Sequence, residues 1–177
     1  MKKTLVILGI ILTFFIIYFL QANFFTWFTI SGIMPNLFVI LILWIGLFIG
    51  KKIGVILGLI FGLYLDLVMG QVIGVSSMMF AMVGIIGEYL DKNFSKDSRI
   101  TIMLSVAAST AIYEIGFYLF RIIKFQTAIE IFTFVKILLV EILFNVAISI
   151  ILYPIIQRLG YYVEDVFKNK RIMTRYF

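Results

Sequence analysis

Five polar residues stand inside otherwise apolar runs of this chain: Asp66, Glu114, Lys136, Glu141 and Asn145. Carboxylates in such a setting are the groups that carry protons or hold a small polar solute within a membrane. The same groups serve equally as a structural polar knot, or as a docking point for another protein's membrane helix. Spacing alone leaves these readings open. Glu141 and Asn145, at i and i+4, share one helix face. Lys136 is the cation of the set, and an Asp66–Lys136 pair is expected because each would neutralise the other.

Other chemistry is poorly supplied. The chain has no cysteine and no histidine. That excludes disulfides, thiolate nucleophiles, Fe–S clusters and the usual zinc sites, and it removes the easiest proton relay. No GxxxxGK phosphate loop and no serine–base constellation is present. The carboxylates lack an adjacent nucleophile, so no catalytic residue, cofactor or metal site is expected.

The elements that position these groups follow from composition. Of 177 residues, 63% are hydrophobic and 14% charged, with a mean hydropathy of +1.16. Soluble domains carry about 45–50% apolar and about 25% charged residues. A water-soluble core of this size could not bury so much apolar surface, so the solvent must largely be lipid. A spanning helix needs roughly 17–25 residues. Six runs qualify: residues 4–20, 33–50, 53–69, 72–90, 100–120 and 131–156, with a tail at 157–177 and no second domain. The first run reads as a span rather than a cleaved signal, since no small-residue cleavage site follows it. The expected fold is an all-α bundle of six transmembrane helices.

The net charge of +6 reads as topology rather than as nucleic-acid binding. With a cytoplasmic N-terminus and six crossings, twelve lysines and arginines fall inside (Lys2, Lys3, Lys51, Lys52, Lys92, Lys96, Arg99, Arg158, Lys168, Lys170, Arg171, Arg175). Only Arg121 and Lys124 fall outside, and Lys136 lies within the sixth run. This bias places both termini in the cytoplasm. The tail mixes aromatic and basic residues, which suits a segment lying along the inner surface or a solvated one.

A glycine ladder leads to Asp66. Gly54, Gly58 and Gly62 recur every fourth residue on the third run, Asp66 takes the next place, and Gly70 and Gly74 continue the register. Gly46 and Gly50 form a separate patch on the preceding run. Small residues at this spacing let helices approach closely where lipid offers no hydrophobic drive. The third helix is therefore expected at the centre of the bundle. Packing within the chain and packing against a partner are served alike. Asp66 would lie about one turn below the outer surface, facing protein or water because an ionised carboxylate is disfavoured against lipid.

Pro35 and Asn36 open the second run, Gly46 and Gly50 follow, and then comes GLIFGLYLDLVMGQVIG, with Gly58, Gly62, Asp66, Leu67, Gly70 and Gly74 in place. This stretch resembles the hallmark region of the MreD family of bacterial rod shape-determining membrane proteins, and covers about a third of the chain. The rest is similar in hydropathy alone. The resemblance implies a non-enzymatic, multi-pass scaffold subunit of the cell-elongation complex in the bacterial plasma membrane. Its implied partners are MreC directly, then MreB, RodA and a class B penicillin-binding protein, with lipid around it. It also implies a fold similar to the substrate-binding subunits of energy-coupling-factor transporters. A small-solute-binding transporter subunit is the alternative function.

Overall fold

The computed structural model describes residues 2–70, 72–94, 96, 98–126 and 130–168. It is all-helical, with six α-helices: α1 (Lys2–Phe19), α2 (Leu37–Phe48), α3 (Lys51–Val68), α4 (Val75–Asn93), α5 (Arg99–Phe125) and α6 (Ile131–Lys168). A π-helical turn, Leu20–Phe24, ends α1. Three helical stretches are long and apolar enough to cross a membrane: Lys2–Phe24, Arg99–Phe125 and Ile131–Lys168. α2 has 12 residues, about 18 Å at 1.5 Å per residue, against a hydrocarbon core of about 30 Å.

Short links make consecutive helices antiparallel. The start of α1 meets the end of α6, where the Lys3 ammonium lies 5.7 Å from the centre of the Phe167 ring. That end of the bundle also holds the end of α2, the start of α3 and the end of α4, since Lys168 reaches the Leu47 carbonyl at 3.3 Å and Asp91 at 2.6 Å. It is called the basic end below.

α2, rather than α3, occupies the centre. Eleven of its 12 residues are buried, as expected of a helix that is hydrophobic all round. α3 buries one face only: Gly54, Leu57, Gly58, Phe61, Gly62, Leu65 and Asp66. Its opposite face, with Ile56, Leu59, Ile60 and Leu63, is exposed. A ladder of glycines marks a close contact, and a close contact needs only one face.

The ladder faces α4 by backbone. A Cβ on Gly58 would come within 2.8 Å of the Phe80 carbonyl group, and one on Gly62 within 2.5 Å of the Ser77 backbone. A Cβ on Gly54 would lie 3.1 Å from Gly46 and 3.2 Å from Gly84. Gly84 and Gly87 of α4 are the other half of this seam. A Cβ on Gly84 would meet the Gly54 backbone at 2.6 Å, and one on Gly87 the Leu43 carbonyl at 2.6 Å. Gly46 packs against the Gly84 carbonyl. Thus α2, α3 and α4 meet through six glycines. Gly70 and Gly74 do not belong to the seam, because nothing lies within 4 Å of a Cβ built on either. They adopt φ of +65° and +99°, a region that L side chains rarely enter, and they turn the chain from α3 into α4.

α6 has the reverse of a soluble helix's pattern. Its buried residues are Glu141, Asn145, Ser149, Tyr153, Gly160 and Glu164, nearly all at steps of four. Leu139, Leu143, Ile150, Ile151 and Ile155 face outward. Polar groups inside and aliphatic ones outside suit a helix whose solvent is hydrocarbon. α6 runs on to Lys168 through Pro154, so the expected tail is helical for residues 157–168. Residues 169–177 lie outside the described residues.

Candidate functional site

Near the middle of α5 and α6, a belt of polar side chains crosses the bundle. Its first part is a cap on α4. The Asp66 carboxyl accepts from the Gly74 amide at 2.8 Å and from the Ser76 amide at 3.3 Å, and the residue is 1% exposed. Gly74 is the N-cap of α4 and has no capping side chain of its own. Four amides at a helix start lack intrahelical partners, and the helix dipole favours a carboxylate there. Eight residues from Gly74 in sequence, Asp66 supplies what the glycine cannot. Alongside, the Ser77 hydroxyl donates to the Leu59 carbonyl at 2.5 Å, which fixes α4 to α3 a second time.

The second part is a cap on α2. Asn36 Oδ1 accepts from the Val39 amide at 3.3 Å, and the Asn36 amide donates to Asn145 Oδ1 at 2.8 Å. The Leu37 amide donates to Gln21 Oε1 at 3.3 Å. Asn145 Nδ2 donates to Thr110 Oγ1 at 3.0 Å. One buried amide side chain thereby joins α2, α5 and α6. Pro35, just before the cap, is among the most fully buried residues. Tyr113 links the two parts, with Ser76 and Asn36 both within reach of its hydroxyl. Its ring stacks on Phe80, centroids 5.0 Å apart.

Glu141 and Glu114 face one another across α6 and α5, with Asn36 and Asn145 beside Glu141. Glu141 Oε1 is buried without a hydrogen-bond partner. The belt therefore brings together Asp66, Glu114, Glu141, Asn145 and Asn36. It leaves out Lys136, which is exposed and forms no ion pair among the described residues. The expected Asp66–Lys136 pair is absent for a geometric reason. Lys136 lies nine residues before Asn145 on α6, which at 3.6 residues per turn puts it about 180° around the helix and about 13 Å further along.

A second polar cluster, not foreseen from the sequence, closes the basic end. Lys96 contacts Asp91 at 2.8 Å and Glu164 at 2.6 Å, while Lys168 contacts Asp91 at 2.6 Å and Glu164 at 3.4 Å. The four charges alternate around a ring that ties the end of α4 to the end of α6. Burial alone would raise the Asp91 carboxyl, but hydrogen bonds from Lys168 and Lys96 outweigh it and hold the group below the usual carboxylate range. Lys96 also lies 5.1 Å from the centre of the Phe48 ring. Glu88 contacts Lys92 at 2.6 Å and accepts from the Lys51 amide, capping α3. The i,i+4 spacing of Glu164 and Lys168 was readable. Their meeting with a loop lysine and the end of α4 was not.

Among the described residues no group of three or more acidic side chains is placed to hold a metal ion. The polar groups mostly cap helices and join them, as in an all-helical membrane protein built for structure. The family model described as rod shape-determining protein MreD matches residues 1–163. The chain belongs to the MreD family, whose role is rod shape determination. No curated protein and no solved structure matches it.

Proposed function

We propose that this chain is a non-enzymatic scaffold subunit of the cell-elongation complex in the bacterial plasma membrane. In this reading it binds MreC directly and helps position lateral peptidoglycan synthesis. MreB, RodA and a class B penicillin-binding protein belong to the wider assembly. The basic end faces the cytoplasm with both termini, which accords with the twelve-to-two distribution of lysine and arginine.

The observation that carries the reading is the use to which the polar belt is put. Asp66, Asn36 and Asn145 are spent on backbone amides and on Thr110. Among the described residues, cavities of about 270–400 Å³ lie elsewhere, lined by residues other than Asp66, Glu114, Glu141 and Asn145. A belt joined in this way gives a bundle of fixed shape, which a partner's membrane helix can dock against without first ordering it. The solute-binding alternative is favoured by one feature, the unpartnered Glu141 Oε1 beside Glu114.

Co-purification in nanodiscs tests the proposal. The tagged chain is expressed with the MreC and the penicillin-binding protein of its own host, beside Gly58→Leu and Asp66→Ala, with helicity followed separately. The scaffold reading expects a stable complex with MreC that weakens in a variant still folded. A chain that never retains MreC, and instead carries a small solute lost on Glu141→Gln, would overturn it.

A further inference from the structure

Gly9 differs from the glycines of the seam. Nothing lies within 4 Å of a Cβ built on it. A glycine inside a helix costs about 1 kcal/mol relative to alanine, and no neighbour in this chain accounts for it. It opens instead onto a groove of about 400 Å³ between α1 and α6, floored by α2. Leu5, Ile10, Trp44, Ile45 and Leu159 are among the lining residues, so the wall is apolar. The one hydroxyl on the α1 side, that of Thr13, is already given to the Gly9 carbonyl at 2.8 Å.

The basic end of the groove is charged. Lys2 lies three residues before Leu5 and seven before Gly9, on the helix face that lines the groove. Lys3 stands beside it over the Phe167 ring. Both are exposed, and neither forms an ion pair among the described residues. This sets them apart from Lys92, Lys96 and Lys168, which carboxylates hold at the same end.

Charge decides between occupants. The α1 side of the groove runs from Leu5 to Thr13, about 12 Å along the helix. Along that length the wall is apolar, and at its basic end stand two lysines that no carboxylate holds among the described residues. An amphiphile with an acyl chain and an anionic head matches both features. We propose that this groove is a binding site for an anionic phospholipid, with an acyl chain along Gly9 and Trp44 and the phosphate at Lys2 and Lys3.

Trp44 reports on the site directly. The chain has two tryptophans, and Trp27 is exposed, so Trp27→Phe leaves Trp44 as the single indole. The full chain in this background is reconstituted in vesicles containing phosphatidylglycerol or phosphatidylcholine brominated on the acyl chain, diluted into unlabelled phosphatidylcholine. Quenching of Trp44 should need roughly five- to thirtyfold less brominated phosphatidylglycerol than brominated phosphatidylcholine, the range set by one or two lysines acting on an anionic headgroup. Replacing Lys2 and Lys3 together by glutamine should remove that difference. Gly9→Leu, which has open space to occupy, should keep the fold by circular dichroism and reduce quenching by both lipids. Equal quenching by the two lipids, or quenching unchanged in Gly9→Leu, overturns the proposal.

Discussion

The two polar clusters of this bundle hold helices together by different physics. At mid-bundle, Asp66, Asn36 and Asn145 bond to backbone amides or to a hydroxyl, and no lysine takes part. At the basic end, Asp91, Lys96, Glu164 and Lys168 alternate in sign around a ring. The difference accords with burial: Asp66 and Asn145 are fully buried, whereas Asp91, Lys96 and Lys168 keep partial exposure. Within hydrocarbon each unpaired amide costs several kcal/mol and water cannot help, so a short-range carboxyl or amide placed at a helix start is worth most there. Near the membrane surface, long lysine side chains can bring their charge to a carboxylate while water remains close. The mid-bundle belt is therefore expected to depend on atom placement and the basic end on charge.

The largest effect should come from the glycine seam that supports the belt. Gly62→Leu forces a side chain against the Ser77 backbone, 2.5 Å from where its Cβ would stand. The expected cost is about 3 kcal/mol or more, from the upper end of the overpacking range, read as loss of folded protein in a detergent unfolding titration. Gly9→Leu, made the same way, should leave stability within about 0.5 kcal/mol. Equal losses in the two would show that the seam is not special.

Next comes the belt's junction. Asn145→Leu leaves the Asn36 amide and the Thr110 hydroxyl without their partner. The expected loss is about 1–2 kcal/mol, above the average of about 0.6 for membrane interhelical hydrogen bonds because a buried donor and a buried acceptor are left unpaired. That loss should be the same at low and high salt.

The smallest effect belongs to the basic end. Lys168→Met should cost at most about 1 kcal/mol, and the loss should shrink as salt rises. Because the Asp91 carboxyl lies below the ordinary carboxylate range when folded, its contribution is complete above about pH 4 and is lost as pH falls through the lower folded value. Amide exchange at the ends of α4 and α6 should therefore rise in acid in the wild type. A Lys168→Met variant as salt-insensitive as Asn145→Leu would erase the contrast between the clusters.

The sequence revealed a good deal of this, unevenly. Apolar runs and the rhythm of Gly54, Gly58 and Gly62 pointed to six helices and one close contact. The contact's other side, Gly84 and Gly87, carries no four-residue repeat and was invisible until α4 was placed against α3. The centre was misread, because α2 has no glycine ladder and announces its burial only by being apolar on every side. Asp66 was read as a charge seeking a charge. Its real partners, the amides of Gly74 and Ser76, are backbone groups that no side-chain pattern displays. Lys136 attracted the pairing by an expected depth like that of Asp66, yet helix rotation turns it to the opposite face from Asn145. Residues 157–168 were expected as a tail, whereas α6 passes through Pro154 and carries Glu164 and Lys168 to their ring.

The central claim is that Asp66 anchors the backbone of α4 rather than balancing a lysine. Unfolding free energies of Asp66→Ala and Lys136→Met, measured in the same detergent titration, test it most directly. Asp66→Ala should lose about 2 kcal/mol, from two buried amides left unpaired, and the exposed Lys136→Met should change by no more than about 0.5 kcal/mol. Comparable losses for the two variants, with no further loss when they are combined, would mean that the carboxyl and the lysine act as a pair and would contradict it.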